Sequence, residues 1–439
     1  MTRLTFYNGL RTIGGTHILV QHGDSALLFD LGLKYDPAGL FGSHAPLPPA
    51  LEPSIYTRTR FAPPIRGLLQ NVTDEDLQVA AEGEAWPLAG PFAHFGVFLS
   101  HVHNDHVGLV PFLNPTDVYL SGPSLAILEA LDESATLSQP KARFQALADY
   151  ETFQVGSLRA TLLPTDHDIV GASGLLIETP DGAVAYTGDW RRHGAHPERV
   201  DAFIAFCQSH KVDVLLTEGT RFRPDDAPTT PPIPEARLPE LVGDALKDVG
   251  QRVLVNFYAR NVERVAAFAG VAKAHGRTLA VHPETATLLE KTRALHGLEA
   301  HEVKPLETPD DWLEVITHAG DYLVEARTED LPQFLLGPAI SGGVYLHCDG
   351  NPLSEHDPSH PTMRTWLEVL GLAYHPLRSG GHAAPNEVHE LIRAINPGVL
   401  VPIHSRFPER MLTRGVRFFV PHRGETVPLP ALKGQAVLT

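Results

Sequence analysis

The chain has 439 residues, 43% hydrophobic and 20% charged, which excludes a disordered protein and exceeds one ordinary core; two domains of roughly 150 to 250 residues are expected. The net charge of −17 argues against a protein that coats nucleic acid non-specifically, while leaving room for a local basic groove. Cys207 and Cys348 are too few for a disulfide framework, and neither a secretory leader nor a run of about 18 apolar residues is seen, so a soluble cytoplasmic protein with no membrane partner is expected.

In chain order, THILVQH and SALLFDLG predict strands flanking a turn at Gly23 and Asp24, and GVFLS and DVYLS predict two more, the last followed by a helix from Pro123 to about Asp132. The proline-rich stretch at 46–67 predicts an irregular surface excursion beside a site mouth. LRATLLPT, SGLLIETPDGAVAYTG and VDVLLTEG read as strands, with a tight hairpin turn at Asp181-Gly182. The Pro, Thr and Asp-rich segment 221–239 marks a linker or domain entry.

Beyond it helix and strand alternate through PELVGDALKDV, RVLVNF, NVERVAAFAGVAKAHG and RTLAVH, with Val262, Val265, Ala266, Ala269 and Ala272 on one helical face. This pattern predicts a small doubly wound α/β unit closed by the loop at 351–361. AYHPL, PNEVHELIRAI and GVLVPIH then form a strand–helix–strand return, so one domain is expected to be inserted into another.

The chemistry concentrates in LSHVHNDHVGL, residues 99–109. In an extended segment residues i and i+2 point to the same side, so His101 and His103 can reach one cation. Asp105 and His106 follow a turn at Asn104 and can address a second. The alternative, a loop whose histidines merely hydrogen-bond the backbone, suits a lone histidine far better than this spacing after an apolar strand. His167, Asp189 and His404 each follow a predicted strand and have the local context of further ligands, although alone His167 reads equally as a loop residue and Asp189 as a turn residue.

In order, Asp30 in LLFDLG, the H-V-H-N-D-H run, His167, Asp189 and a late histidine make the set similar to the metallo-β-lactamase fold. More specifically the chain resembles the β-CASP nucleases and, among them, the ribonuclease J group in its short form without the C-terminal domain. Glu218 in VLLTEGT matches motif A, His382 in RSGGHAAP motif B and His404 motif C. The resemblance implies an α/β protein with a four-layer αββα metallo-β-lactamase domain at 1–220 and 371–439, and an inserted α/β β-CASP domain at 221–370.

It also implies roles. His101, His103 and His167 would hold one divalent cation, Asp105, His106 and His404 a second, and Asp189 would bridge them, with Zn²⁺ and/or Mn²⁺ as the cofactors. Asp105, Glu218 and His382 would be the catalytic side chains, Glu218 orienting a histidine, and Asp30 would support a ligand from behind. Two cations a few ångströms apart lower the pKa of a shared water to roughly 7 and stabilise phosphoryl charge. His382 would hydrogen-bond a non-bridging oxygen or protonate the leaving 3′ oxygen, giving 5′-phosphate products.

Ser379, Gly380, Gly381 and Ala383 would contact substrate, the glycine pair offering backbone N–H groups to a phosphate; Gly380 stands where the group has serine, with Ser379 one position earlier. Arg191, Arg192, His193, Arg260, Arg378 and Arg406 suggest a backbone track, with Phe257 or Tyr258 stacking a base.

The reading is a two-metal ribonuclease acting 5′ to 3′ on single-stranded RNA, with endonuclease cleavage as a second mode. A histidine at motif C favours RNA by family association. DNA is the alternative substrate, a small-ester or phosphodiester hydrolase the second reading and a non-catalytic nucleic-acid scaffold the third. A homo-oligomer is left open.

Overall fold

The computed structural model describes all residues except 35–38, 42–46, 83–85, 134–141, 225–230, 249, 338–342, 356 and 435–439. Among these its strands form three sheets. The first has seven strands in the spatial order Glu425–Pro428, Thr2–Asn8, His17–His22, Ser25–Phe29, His94–Phe98, Asp117–Ser121, Arg143–Leu147. Its N-terminal half is antiparallel, and from Ser25–Phe29 onward neighbours run parallel.

The second sheet orders Val399–Ile403, Val214–Glu218, Gly182–Tyr186, Ser173–Thr179, Leu158–Pro164 and Thr152–Val155. The strand period of two decides what lies between these sheets. Leu4, Phe6, Val20, Leu27 and Phe29 of the first meet Leu175, Ile177, Val184, Val214 and Leu216 of the second in one buried cluster. The alternate residues Leu215, Ala185 and Leu400 face outward, under the helices Pro197–His210 and Pro385–Ile395. The outward set of the first sheet, Tyr7, Leu19, Leu28 and Val97, is covered with Ile127 and Leu128 of the helix Gly122–Glu133. Helix, sheet, sheet and helix form the expected four layers.

The third sheet is entirely parallel, in the order Val303–Pro305, Thr278–Val281, Tyr322–Glu325, Arg252–Phe257, Gly343–Cys348, Ala373–Pro376. Its strands are near-continuous apolar runs because both faces are covered. Val253, Val255 and Leu279 pack under the helix Val262–Ala274, while Leu254, Ala280 and Tyr345 pack against Val315, Met363 and Leu367. The carboxyl ends of its central strands point at the histidine-rich loop: Arg260 donates to the Val102 carbonyl at 2.8 Å.

Three local expectations change. The segment 46–67 is not irregular throughout, since it carries the helix Glu52–Arg58, in whose first turn Pro53 removes only an N–H that lacks an intrahelical partner. Ala62, Ile65 and Leu68 then anchor the chain in the core, and position 46 lies outside the described residues. The hairpin turn falls at Pro180-Asp181, with Thr179 opposite Gly182, which is already in the strand. AYHPL is the edge strand of the third sheet, beside Gly343–Cys348, and only the following helix and strand return to the second sheet. Residues 225–230 of the predicted linker, and position 356 of the later loop, lie outside the described residues.

Candidate metal centre

The donors sit where strands end. His101 and His103 follow His94–Phe98, and the short helix Asn104–Val107 presents Asp105 and His106. His167 follows Leu158–Pro164, Asp189 follows Gly182–Tyr186, Glu218 closes Val214–Glu218 and His404 follows Val399–Ile403. The last three strands are mutually parallel, and two antiparallel steps make Leu158–Pro164 parallel to them, so their carboxyl ends share one edge.

These side chains converge. Donor atoms of His101, His103 and His167 lie within 4.8 Å of one another, as do those of Asp105, His106, Asp189 and His404. Asp189 Oδ2 lies between the sets, 3.9 Å from His101 Nε2, 3.2 Å from His106 Nε2 and 3.5 Å from His404 Nε2. His404 Nε2 is 3.2 Å from Asp105 Oδ2. Asp189, Glu218, His382 and His404 form a third such set. Its Glu218 carboxylate is already engaged by Trp190 N at 3.3 Å, Thr220 N at 3.0 Å and His382 Nδ1 at 3.1 Å, which suits an orienting role.

Whether the donors fit cations can be tested on their tautomers. His106 Nδ1 is 2.8 Å from Asp30 Oδ2, an acceptor only, so Nδ1 carries the proton and Nε2 a lone pair. His167 Nδ1 donates to the Gly381 carbonyl. Ser100 Oγ donates to Asp30 Oδ2 at 2.9 Å and is therefore free to accept from His101 Nδ1 at 3.0 Å. The Thr220 hydroxyl donates to the His404 carbonyl and accepts from His404 Nδ1 at 2.7 Å. His101 and His106 thus aim a lone pair inward, His167 Nε2 does so within 3.2 Å of His103 Nδ1, and His404 Nε2 faces the Asp105 carboxylate at 3.2 Å. His101 Nε2, His106 Nε2 and Asp189 Oδ2 are buried with no hydrogen-bond partner, an arrangement costly without cations.

For His101, His103 and His167 the electrostatics agree, whereas the carboxylates around His106 favour its charged ring until a cation takes the place of that proton. Burial, reinforced by neighbouring histidines, holds His101 well below its ordinary pKa, and burial also lowers His167 and brings His103 down to about 3, leaving neutral imidazoles able to ligate. Burial opposes charge on His106 as well, yet Asp189, Asp105 and Asp30 outweigh it and raise it well above the ordinary value. His382 is likewise raised, to about 9, by Glu218 and Asp189 against its burial.

Asp30 is fully buried with φ 54°, a left-handed conformation that an aspartate tolerates better than most residues. Its carboxylate accepts from Ser100 N at 2.7 Å, Ser100 Oγ, His106 Nδ1 and the Tyr186 hydroxyl.

The residues assigned to substrate are placed differently from their sequence reading. Ser379 N and Gly380 N donate to Asp349 Oδ2 at 3.1 and 3.0 Å, and Ala383 N to the Trp190 carbonyl at 2.6 Å, so these amides are not offered to a phosphate. Ser379 Oγ accepts from Arg191. A left-handed φ of 71° explains glycine at position 380. Gly381 leaves room for His167, since a Cβ there would lie 2.5 Å from His167 Cε1.

Arg191 does not line a track: it is buried, donating to the Gly380 carbonyl at 2.8 Å and pairing with Glu235 at 2.9 Å. Arg192 pairs with Asp201, and His193 Nε2 bonds the Ser379 carbonyl. Phe257 is core and cannot stack a base, whereas half-buried Tyr258 stands edge-on to His103 with ring centres 5.0 Å apart. Arg378 is half-buried and Arg406 exposed.

Several residues of the site escape sequence reasoning. Asp168, beside His167, places Oδ1 3.3 Å from His103 Nε2; its adjacency to a candidate ligand is the available signal. Gly14 and Gly32 let the chain close on Asp105, for a Cβ would lie 2.3 Å from Asp105 Oδ2 and 1.7 Å from its carbonyl oxygen respectively. Glu235, Arg264 and Asp349 act through the 379–381 turn and carry no local signature.

A family model described as a beta-lactamase superfamily domain matches residues 86–257. Ribonuclease J of Mycoplasma genitalium is 20% identical over 429 residues, covering 92% of this chain and 68% of its own. Ribonuclease J of Helicobacter pylori (strain ATCC 700392 / 26695) is 21% identical over 429 residues, and this chain spans 56% of its length. That of Pyrococcus abyssi is 26% identical over 383 residues, covering 76% of this chain and 81% of its own. A crystal structure of an Enterococcus faecalis V583 protein of unknown function superposes with a TM-score of 0.79 at 27% identity, covering 97% of this chain and 99% of that one. Layer order, superfamily match and similarity along most of the chain agree: the chain has a metallo-β-lactamase fold and is similar along most of its length to proteins named Ribonuclease J.

Proposed function

We propose that this metallo-β-lactamase-fold hydrolase is a two-metal nuclease that cleaves RNA phosphodiester bonds, 5′ to 3′ from the end with internal cleavage as a second mode, leaving 5′-phosphates. The observation that carries the reading is the convergence of His101, His106, His167 and His404 around Asp189, each ring held by a protein oxygen at its other nitrogen. Similarity to proteins named Ribonuclease J supports RNA as the substrate.

In this reading His101, His103 and His167 hold one cation, Asp105, His106 and His404 the other, and Asp189 reaches both; nitrogen and carboxylate donors suit Zn²⁺ and Mn²⁺ alike. Bound there, two such cations would supply a water of lowered pKa and offset phosphoryl charge. Glu218 accepts the His382 Nδ1 proton at 3.1 Å and thereby fixes the ring, leaving Nε2 to hydrogen-bond a non-bridging oxygen or hand a proton to the leaving 3′ oxygen. The third sheet is read as the inserted β-CASP unit, and the seam where Arg260 meets Val102 as the path of the strand.

The test uses end-labelled RNA and DNA oligonucleotides bearing 5′-monophosphate, triphosphate or hydroxyl ends, with Mn²⁺ or Zn²⁺. Metal-dependent shortening of RNA, lost in His103→Ala together with bound metal, is the expected result. Equal hydrolysis by that variant, or cleavage of DNA alone, overturns the reading.

A further inference from the structure

Asp168 stands outside the donor set discussed so far. Its side chain is 12% exposed, and Oδ1 is buried with no hydrogen-bond partner. That oxygen lies 3.2 Å from His167 Nε2 and 3.3 Å from His103 Nε2.

The contact to His167 is not a hydrogen bond. Because His167 Nδ1 donates its proton to the Gly381 carbonyl, Nε2 of the neutral ring meets the carboxylate lone pair to lone pair, and its hydrogen-bond contact is with His103 Nδ1 at 3.2 Å, not with Asp168. Two buried acceptors this close repel unless a cation lies between them. His103 Nε2, the other near atom, is also without a partner. Donor atoms that share one zinc at about 2.0–2.2 Å lie roughly 3 Å from each other, the range of the two contacts here. Room is made at position 381 as well, where a Cβ would lie 2.7 Å from Asp168 Oδ1.

We propose that Asp168 is a further protein ligand of the cation held by His101, His103 and His167. That ion would then have three imidazoles and a carboxylate of its own, in addition to its approach to Asp189. The proposal rests on the two-metal reading above and adds one ligand to it.

The purified full-length protein is stripped of metal and titrated with Co²⁺ against a competing chelator, with the visible spectrum of the bound ion recorded. Wild type should take up two ions. Asp168→Asn should bind one unchanged and the other more than about tenfold more weakly, with an altered visible band for the weakened ion. Far-UV circular dichroism checks the fold, and Asp168→Ala, expected to show the same loss, replaces the Asn variant if that does not fold. Two ions bound within twofold of wild type, with the same spectrum, overturn the ligand assignment and leave the two-metal reading standing. A wild type that takes up no ion overturns both.

Discussion

Glu235 offers a decisive perturbation because it joins two buried arginines behind the turn that carries His382. Its carboxylate takes Arg264 in a two-pronged pair, 2.7 Å from both Nε and Nη2, and Arg191 Nη2 at 2.9 Å. Both arginine side chains are 1% exposed. Arg264 continues to Asp349 at 2.9 Å, and Asp349 holds Ser379 N and Gly380 N while Arg191 holds the Gly380 carbonyl. Four charges, two of each sign, therefore clamp residues 379–380 from both sides. In Glu235→Ala the cluster keeps two cations and one anion, with Arg191 stripped of its only carboxylate partner among these groups. Removing one partner of a buried pair costs about 3–5 kcal/mol. At roughly 2–4 °C per kcal/mol this lowers the first thermal transition by roughly 6–20 °C. Glu235→Gln keeps one acceptor but turns an amide N–H₂ toward a guanidinium, so it should fall near the lower figure. Burial opposes the Glu235 charge, but Arg264 outweighs it and lowers the carboxyl pKa, so this stabilisation is present above the ordinary carboxylate range and is lost as pH falls through the lowered value. Calorimetry across a pH series reads both effects. A shift equivalent to less than about 1 kcal/mol in both variants would refute the clamp.

Other consequences are measurable. His17 is fully buried, its Nε2 3.0 Å from the Gly32 carbonyl, and burial brings its pKa down to about 3 from an ordinary 6.5. Below pH 6.5 the unfolded chain binds the proton first, so stability present above 6.5 declines toward pH 3, by about 2 kcal/mol between pH 6.5 and 4.5; urea midpoints should show the decline reduced in His17→Gln, and an identical slope would count against it. Asp30→Asn turns an amide toward donors on Ser100, His106 and Tyr186, costing about 1–3 kcal/mol and roughly 10–100-fold in metal affinity; thermal melts and chelator competition read the two losses, and unchanged affinity contradicts the prediction. Gly381→Ala drives a Cβ to 2.5 Å from His167 Cε1, so it should weaken metal binding more than Gly380→Ala, which meets open space but strains φ 71°; the reverse order in a Co²⁺ titration refutes the close-approach argument. Chelation should lower the melting transition, since ligand at a hundred times Kd contributes about 2.7 kcal/mol; an unchanged transition on metal removal contradicts a bound centre.

What the sequence discloses about such a site depends on how far each contact reaches along the chain. His101, His103, Asp105 and His106 are legible because strand and turn geometry alone put them on one side. His167, Asp189 and His404 are legible more weakly, each as a polar residue closing an apolar strand, and the family motif order supplies what spacing cannot. The strands themselves are read well, because period-two burial separates Val214 and Leu216 from Leu215 unambiguously. The helix at Glu52–Arg58 is hidden by prolines whose cost depends on where in a helix they fall. AYHPL gives no clue to its sheet, for pairing partners 29 residues away are chosen by tertiary packing.

The turn at residues 379–383 shows the limit most clearly. Two glycines before a histidine look like a cradle for an anion, and local conformation supports that reading. Three amides of that turn are nevertheless spent on protein acceptors, and the acceptor that takes two of them, Asp349, lies 30 positions from Ser379 and 31 from Gly380. Asp349 itself is held by Arg264, and Arg264 by Glu235, so the identity of the group facing Gly380 is settled by a chain of charges drawn from three separate segments. Such a chain has no period and no spacing. It is selected because each buried charge must find its opposite, a condition that constrains the folded neighbourhood and leaves the local sequence free. The same argument applies to Asp168, whose aspartate is unremarkable in a loop and becomes informative only when His167 Nδ1 is seen donating elsewhere. Placement of charge in this protein is therefore read from partners, and the positions most worth mutating are those whose partners lie farthest away in sequence.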